Sequence, residues 1–115
     1  MANTFKLKTD TAVGTTLTTV YTVPASPATT TIIIGCLLAN IHASAQVKAS
    51  VKIVTVATSG ENGDDVFLIK GVPVPFGSSL EIVEGKIVMQ AGDIIKVESD
   101  TAASIDVALS VLEQT

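Results

Sequence analysis

Cys36 and His42 are the one thiol and the one imidazole of the sequence, so a Cys–His nucleophile pair is the first chemistry to weigh. Cys36 lies between Gly35 and Leu37 in the most apolar stretch of the chain. There it reads as a small buried hydrophobe with an inert thiol. On one continuous strand the two residues would share a face but stand roughly 20 Å apart, too far to act as a local pair. His42 then reads as a loop residue beside solvent or a subunit contact. One Cys and one His can build neither an internal disulfide nor a Cys/His zinc site within one chain.

The acidic loop Glu61-Asn62-Gly63-Asp64-Asp65 carries hard oxygen ligands suited to calcium. It lacks the alternating twelve-residue spacing that ends in a glutamate, and reads as a solvated hairpin tip. Glu81, Glu84 and Glu98 could suggest a glycosidase carboxylate pair. The chain has only four aromatic residues, Phe5, Tyr21, Phe67 and Phe76, and no tryptophan to stack a sugar. The glutamates therefore read as exposed groups on strands and turns. No Gly-x-Ser-x-Gly elbow, phosphate loop or His-Glu-x-x-His is present, and Gly77-Ser78-Ser79 has no base nearby. The expectation is a protein without catalytic residues, cofactor or metal.

The elements around these residues follow from composition. Val, Ile and Thr account for 41 of the 115 residues, and β-branched side chains favour pleated sheet over helix. A charged fraction of 16% and a mean hydropathy of +0.54 argue against disorder. The longest apolar run, Ile32–Ala39, has eight residues with its glycine included, whereas a spanning helix needs about 20. No basic start leads into an apolar stretch and cleavage site, so no secretory signal is expected. All seven basic residues are lysines and the net charge is −4, which makes a poor partner for nucleic acid. A chain of this length can bury its own core, and residues 1–115 read as one domain.

Phe5-Lys6-Leu7-Lys8 alternates, giving residues 1–13 the look of a short first strand or an extended N-terminal arm. Strands are expected over 15–23, 29–39, 46–55 and 66–70, with the Asn-Gly turn in 59–65 making a hairpin of the last two. Gly71–Gly77, with its two prolines, reads as an irregular crossing between two groups of strands. Strands over 80–83, 85–90, 93–99 and 104–112 follow. Segment 46–55 alternates cleanly, as does the last strand. Segment 29–39 is apolar on both faces, with Ile32, Ile34, Cys36 and Leu38 on one and Ile33, Leu37 and Ala39 on the other. It is either buried between two layers or lies at a subunit contact. Eight to nine short strands with turns between them and no helical period give an all-β class. The fold is an antiparallel β-sandwich, jelly-roll-like, with an immunoglobulin-like topology as the alternative.

The run Val66–Leu80, its continuation Glu81–Asp93, the closing Ile94–Asp100 and Ser104–Glu113 share a strand-and-turn pattern. Together with Met1–Lys8 and Tyr21–Pro24, they resemble small virion structural proteins of tailed bacteriophages, of the marine and cyanophage type. That resemblance implies a non-enzymatic capsid decoration or cement protein, with a neck, tail or baseplate component as the alternative. A carbohydrate-binding module of a receptor-binding appendage is a third reading. The partners implied are the chain itself, as a homo-trimer or other symmetric oligomer, and a major capsid protein or other virion proteins. No nucleic acid and no membrane are implied, and the location is the virion. Contacts are expected at Phe5 and Leu7 of the arm, at Ile32, Ile33 and Leu37, and at Pro73, Pro75 and Phe76 of the crossing. Phe76 is either an exposed anchor or a core plug.

Overall fold

The computed structural model describes residues 2–56 and 61–115. Within them the chain forms nine antiparallel strands in two sheets, packed as a β-sandwich. The strands are β1 (Asn3–Val13), β2 (Thr18–Thr22), β3 (Thr30–Asn40), β4 (Val47–Val54), β5 (Val66–Val74), β6 (Ser79–Glu81), β7 (Ile87–Met89), β8 (Ile94–Ser99) and β9 (Ile105–Gln114). One sheet runs β1-β9-β3, with β6 and β7 end to end along the far edge of β3. The other runs β2-β8-β4-β5.

This order is that of one long hairpin rolled up. β4 and β5 form its closed end; moving outward, β3 pairs with β6 and β7, β2 with β8, and β1 with β9. Rolling that strip brings β9 against β3 and β8 against β4, which supplies the two remaining ladders. The result is jelly-roll topology. Residues 3–13 form an edge strand paired along β9 from Asn3↔Gln114 to Val13↔Ile105.

The core lies between the sheets and is filled by alternate residues. β9 contributes Ile105, Val107, Leu109 and Val111, β4 contributes Val47, Ala49, Val51 and Ile53, and β8 contributes Ile95 and Val97. β3 departs from simple alternation. Its register against β9 shifts between Ile33 and Gly35, so Ile34 is an extra residue and the inward parity changes. Thr31 and Ile33 point inward before the bulge, and Cys36 and Leu38 after it, while Ile34 and Leu37 face solvent. The bulge sits where β6 and β7 part. There the Glu81 carboxylate replaces the missing ladder, accepting from the Cys36 N–H at 2.8 Å and the Val83 N–H at 3.0 Å. A side chain on Gly35 would meet Glu81 Oε1 at 3.1 Å, which explains the small residue.

The expected crossing at 71–77 is corrected. β5 continues through Gly71, Val72 and Pro73 to Val74, and only Pro75–Ser78 turns toward β6. Pro73 is tolerated because β5 is an edge strand with one partner, β4. Of the expected 59–65 turn, Ser59 and Gly60 lie outside the described residues. Its far side is fastened to β4, with the Thr55 N–H bonded to Asp65 Oδ1 at 3.0 Å and the Thr55 hydroxyl to the Asp64 carbonyl at 2.7 Å.

Polar groups close the sandwich where ladders end. Asp93, fully buried, accepts from the Val56 and Gln90 N–H groups at 3.1 and 2.9 Å. Asn40 donates from Nδ2 to the Ala45 and Val74 carbonyls, both at 2.9 Å, and accepts from the His42 N–H at 2.8 Å. Glu113, 5% exposed, joins four strands: Lys6 Nζ of β1 lies 2.8 Å from Oε1, and the Tyr21 hydroxyl of β2 donates to Oε2. Thr31 of β3 completes the cluster at 2.8 Å from that hydroxyl. Among the described residues, no buried side-chain nitrogen or oxygen lacks a partner.

Lys6 and then Tyr21 hold the Glu113 carboxyl below its ordinary range, while burial and Glu113 push the Tyr21 hydroxyl up to about 12. A carboxyl lowered by folding stabilises the fold above its unfolded pKa, and that contribution is lost as pH falls through the folded value. Melting temperatures taken from pH 7 down to pH 3 are therefore expected to fall more steeply for the wild type than for Glu113→Gln. Lys6→Met, which leaves the buried carboxylate without its cation, is expected to cost about 1–3 kcal/mol in urea denaturation at pH 7.

Candidate functional site

The residues weighed for chemistry do not assemble into a reactive centre. Cys36 is fully buried, and burial followed by the charge of Glu81 pushes its thiol up to about 12. His42 organises a turn: its Nδ1 accepts from the Ser44 and Ala45 N–H groups at 3.1 and 3.0 Å. Glu81 is committed to backbone amides in β6, Glu84 lies in the following turn, and Glu98 is on β8 of the other sheet. Among the described residues, no group of three His, Cys, Asp or Glu is placed to hold a metal.

What the fold does build is a surface. Outward residues of the five-stranded sheet form a row in register across four strands. Phe5 of β1 faces Leu112 of β9, Leu112 faces Ile32 of β3, and Ile32 faces Val88 of β7. Phe5 and Val88 are 74% and 55% exposed, while Leu112 and Ile32 between them are half-buried by their neighbours. Leu7, Ile34 and Leu37 extend the apolar area along the same face. A shallow groove of about 430 Å³ continues it, with Leu37, Ala39 and Ala108 among its lining residues and Asp10, Thr11 and Asp106 beside them. These carboxylates already serve the chain: Asp106 Oδ1 accepts from the Thr11 hydroxyl at 2.7 Å and the Ala12 N–H at 3.0 Å, and Asp10 accepts from the Thr11 N–H. The groove offers shape and apolar area, and its carboxylates are engaged with β1 amides and the Thr11 hydroxyl.

Of the contact residues expected from sequence, Phe5, Leu7, Ile32 and Leu37 come together on this face. Ile33 is fully buried in the core, on the opposite side of β3. Pro73 is exposed on the edge of the other sheet; Pro75 and Phe76 are exposed in the β5–β6 turn, so Phe76 is no core plug. Sequence reasoning misses Leu112 and Val88, and reaches Ile34 only as part of the apolar 32–39 segment. Leu112 carries a legible signal, an aliphatic residue at an outward position of a strictly alternating strand. Val88 lies in a three-residue strand too short to show a period, and Ile34 owes its outward position to the bulge.

No protein-family model matches the sequence, and no curated protein matches it. A solved structure does: a protein of Bacillus endospore appendages, described as a novel family of disulfide-linked pili, aligns over 99% of this chain and 87% of that one. The identity is 13% and the TM-score 0.56. This finding overturns the bacteriophage resemblance, because the matching structure belongs to a spore appendage and not to a phage particle. The capsid-decoration, neck, tail and baseplate roles, the carbohydrate-binding alternative, the capsid partners and the virion location fall with it. The quoted strand-and-turn pattern reports a rolled hairpin, which unrelated proteins share, and a fold does not specify a function. What the two proteins share at this identity is the jelly-roll sandwich, in the match a structural pilus protein and in this chain a scaffold whose most developed feature is an open apolar face.

Proposed function

We propose that this protein is a non-enzymatic structural subunit that polymerises by self-association, with the outer face of the five-stranded sheet as a contact surface. The observation that carries this reading is the in-register row Phe5, Leu112, Ile32 and Val88, left open to solvent on a protein whose core is closed without it. Soluble monomers seldom expose contiguous apolar patches beyond a few hundred Å², and such patches mark association sites. The likeness of fold to a pilus-forming appendage protein supports an open polymer over a closed trimer.

The contact in this reading is non-covalent. A disulfide-linked polymer needs each subunit bonded to two neighbours, and Cys36, the one cysteine of the sequence, can bond to only one. It is also fully buried with its thiol held protonated, so it presents no thiolate for exchange.

Purified protein is expected to show mass rising with concentration in light scattering, and linear particles by negative-stain electron microscopy. Phe5→Ser combined with Val88→Ser should weaken association by at least about tenfold while leaving the melting temperature of the subunit near the wild-type value. A protein that stays monomeric over the whole accessible concentration range would refute the reading. Assembly is expected to be indifferent to dithiothreitol and to survive Cys36→Ser, as measured by the same scattering assay.

A further inference from the structure

The outer face of the four-stranded sheet differs in kind from the apolar face on the other side of the sandwich. It also carries an in-register row: Thr19 of β2 faces Lys96 of β8, Lys96 faces Lys52 of β4, and Lys52 faces Phe67 of β5. Two lysines directly opposite each other on neighbouring strands repel. Lys52 Nζ and Lys70 Nζ sit 5.3 and 5.0 Å from the centroid of the Phe67 ring, which is 37% exposed. Among the described residues, no ion pair neutralises Lys52, Lys70 or Lys96. Glu98, Asp100 and Lys48 lie together toward the other end of this face, where Asp100 accepts from the Lys48 N–H at 2.9 Å. In a chain with net charge −4, two of the seven lysines therefore stand over one exposed aromatic ring, and a third, Lys96, faces Lys52 from the next strand.

The apolar face has the opposite balance. Beyond its row of Phe5, Leu112, Ile32 and Val88, Glu81 stands opposite Leu37 and Asp106 opposite Ala39 at the far end of the sheet, and the β6–β7 turn adds Glu84 against Lys86. An apolar face with carboxylates at its Leu37–Ala39 end complements an aromatic ring beside lysines, the arrangement of an interface with an anchor and charges of opposite sign next to it.

We infer that the polymer contact is heterologous: the lysine-bearing Phe67 face of one copy docks on the apolar face of the next, with its lysines toward the carboxylates at the Leu37–Ala39 end. This rests on the self-association reading and specifies its second surface. Two copies meeting through their lysine faces would bring six unneutralised ammonium groups together, so symmetric pairing on that side is opposed. Because the two faces lie on opposite sides of the sandwich, each copy can use both at once. Repetition of one heterologous contact then builds an open filament.

The test mixes two assembly-defective proteins. Phe5→Ser with Val88→Ser disables the apolar face, and Lys52→Glu with Lys96→Glu disables the lysine face; far-UV circular dichroism and melting confirm that each is folded. Each alone is expected to be monomeric at concentrations where the wild type polymerises. Mixed, they retain one intact face of each kind and should stop at a heterodimer of twice 11.8 kDa in native mass spectrometry. If the charge reversal costs folding, Lys52→Gln with Lys96→Gln takes its place. A lysine-face variant that polymerises like the wild type, or a mixture that stays monomeric, would overturn the heterologous contact while leaving self-association standing. A wild type that never assembles would overturn both. Binding of dextran sulfate to the lysine face with no change in assembly on reversal would assign that face to a polyanion, and would also overturn the contact.

Discussion

The alternation of β9 is the constraint on which the structure depends. This strand bonds to β1 along one edge and β3 along the other, and it sends Ile105, Val107, Leu109 and Val111 into the core. Asp106, Ala108, Ser110 and Leu112 take the outer positions. A slip of one residue would expose the aliphatic set and bury Asp106, so the register is fixed by the cost of that inversion. Once β9 is fixed, the row on the outer face is fixed too, because Phe5 and Ile32 are placed by their pairing with Leu112. The surface assigned to function is the far side of the strand that organises the core.

Rolling a hairpin leaves places where strands part or end, and there the chain uses side chains in place of backbone partners. Glu81 fills the gap between β6 and β7, Asn40 ties the end of β3 to the β5 carbonyl of Val74, and Asp93 holds the approach to β8. Glu113 is the most connected, because it links β1, β2, β3 and β9 across both sheets. Most of the sequence's polar signals that looked like candidate chemistry are of this kind. Glu81 and His42 fasten backbone amides, and among the described residues every buried side-chain nitrogen and oxygen has a partner.

The all-β class and the sandwich were legible because β4 and β9 alternate without interruption, and a period of two has one structural meaning. The two-faced character of 29–39 was legible but its cause was not. A bulge changes which residues point inward, and nothing in a run of Ile32-Ile33-Ile34-Gly35 distinguishes a bulge from a strand covered on both sides. Ile33 consequently looked equivalent to Ile32, although one is core and the other surface. Pro73 misled for a related reason, since an edge strand tolerates a proline and edge position is a property of the whole sheet. The phage resemblance failed at a different level. Spacing of strands and turns encodes how the hairpin rolls, and that is shared by proteins whose surfaces have nothing in common.

Folding and the proposed assembly draw on different residues. The buried apolar cluster closes between the sheets, and Phe5, Leu112, Ile32 and Val88 of the outer row take no part in it. An apolar row outside that core, in register across four strands, is what the proposed assembly would cover with a second copy. The lysines opposite have the same status: Lys52 and Lys96 face each other across a ladder at a cost to the isolated sheet, and a negative partner would turn that cost into attraction. In the proposed polymer, each outer face is covered by the other face of the next copy. Because the two faces lie back to back on the sandwich, repeating that contact would extend the assembly in one direction, and the fold of the single chain would set that direction.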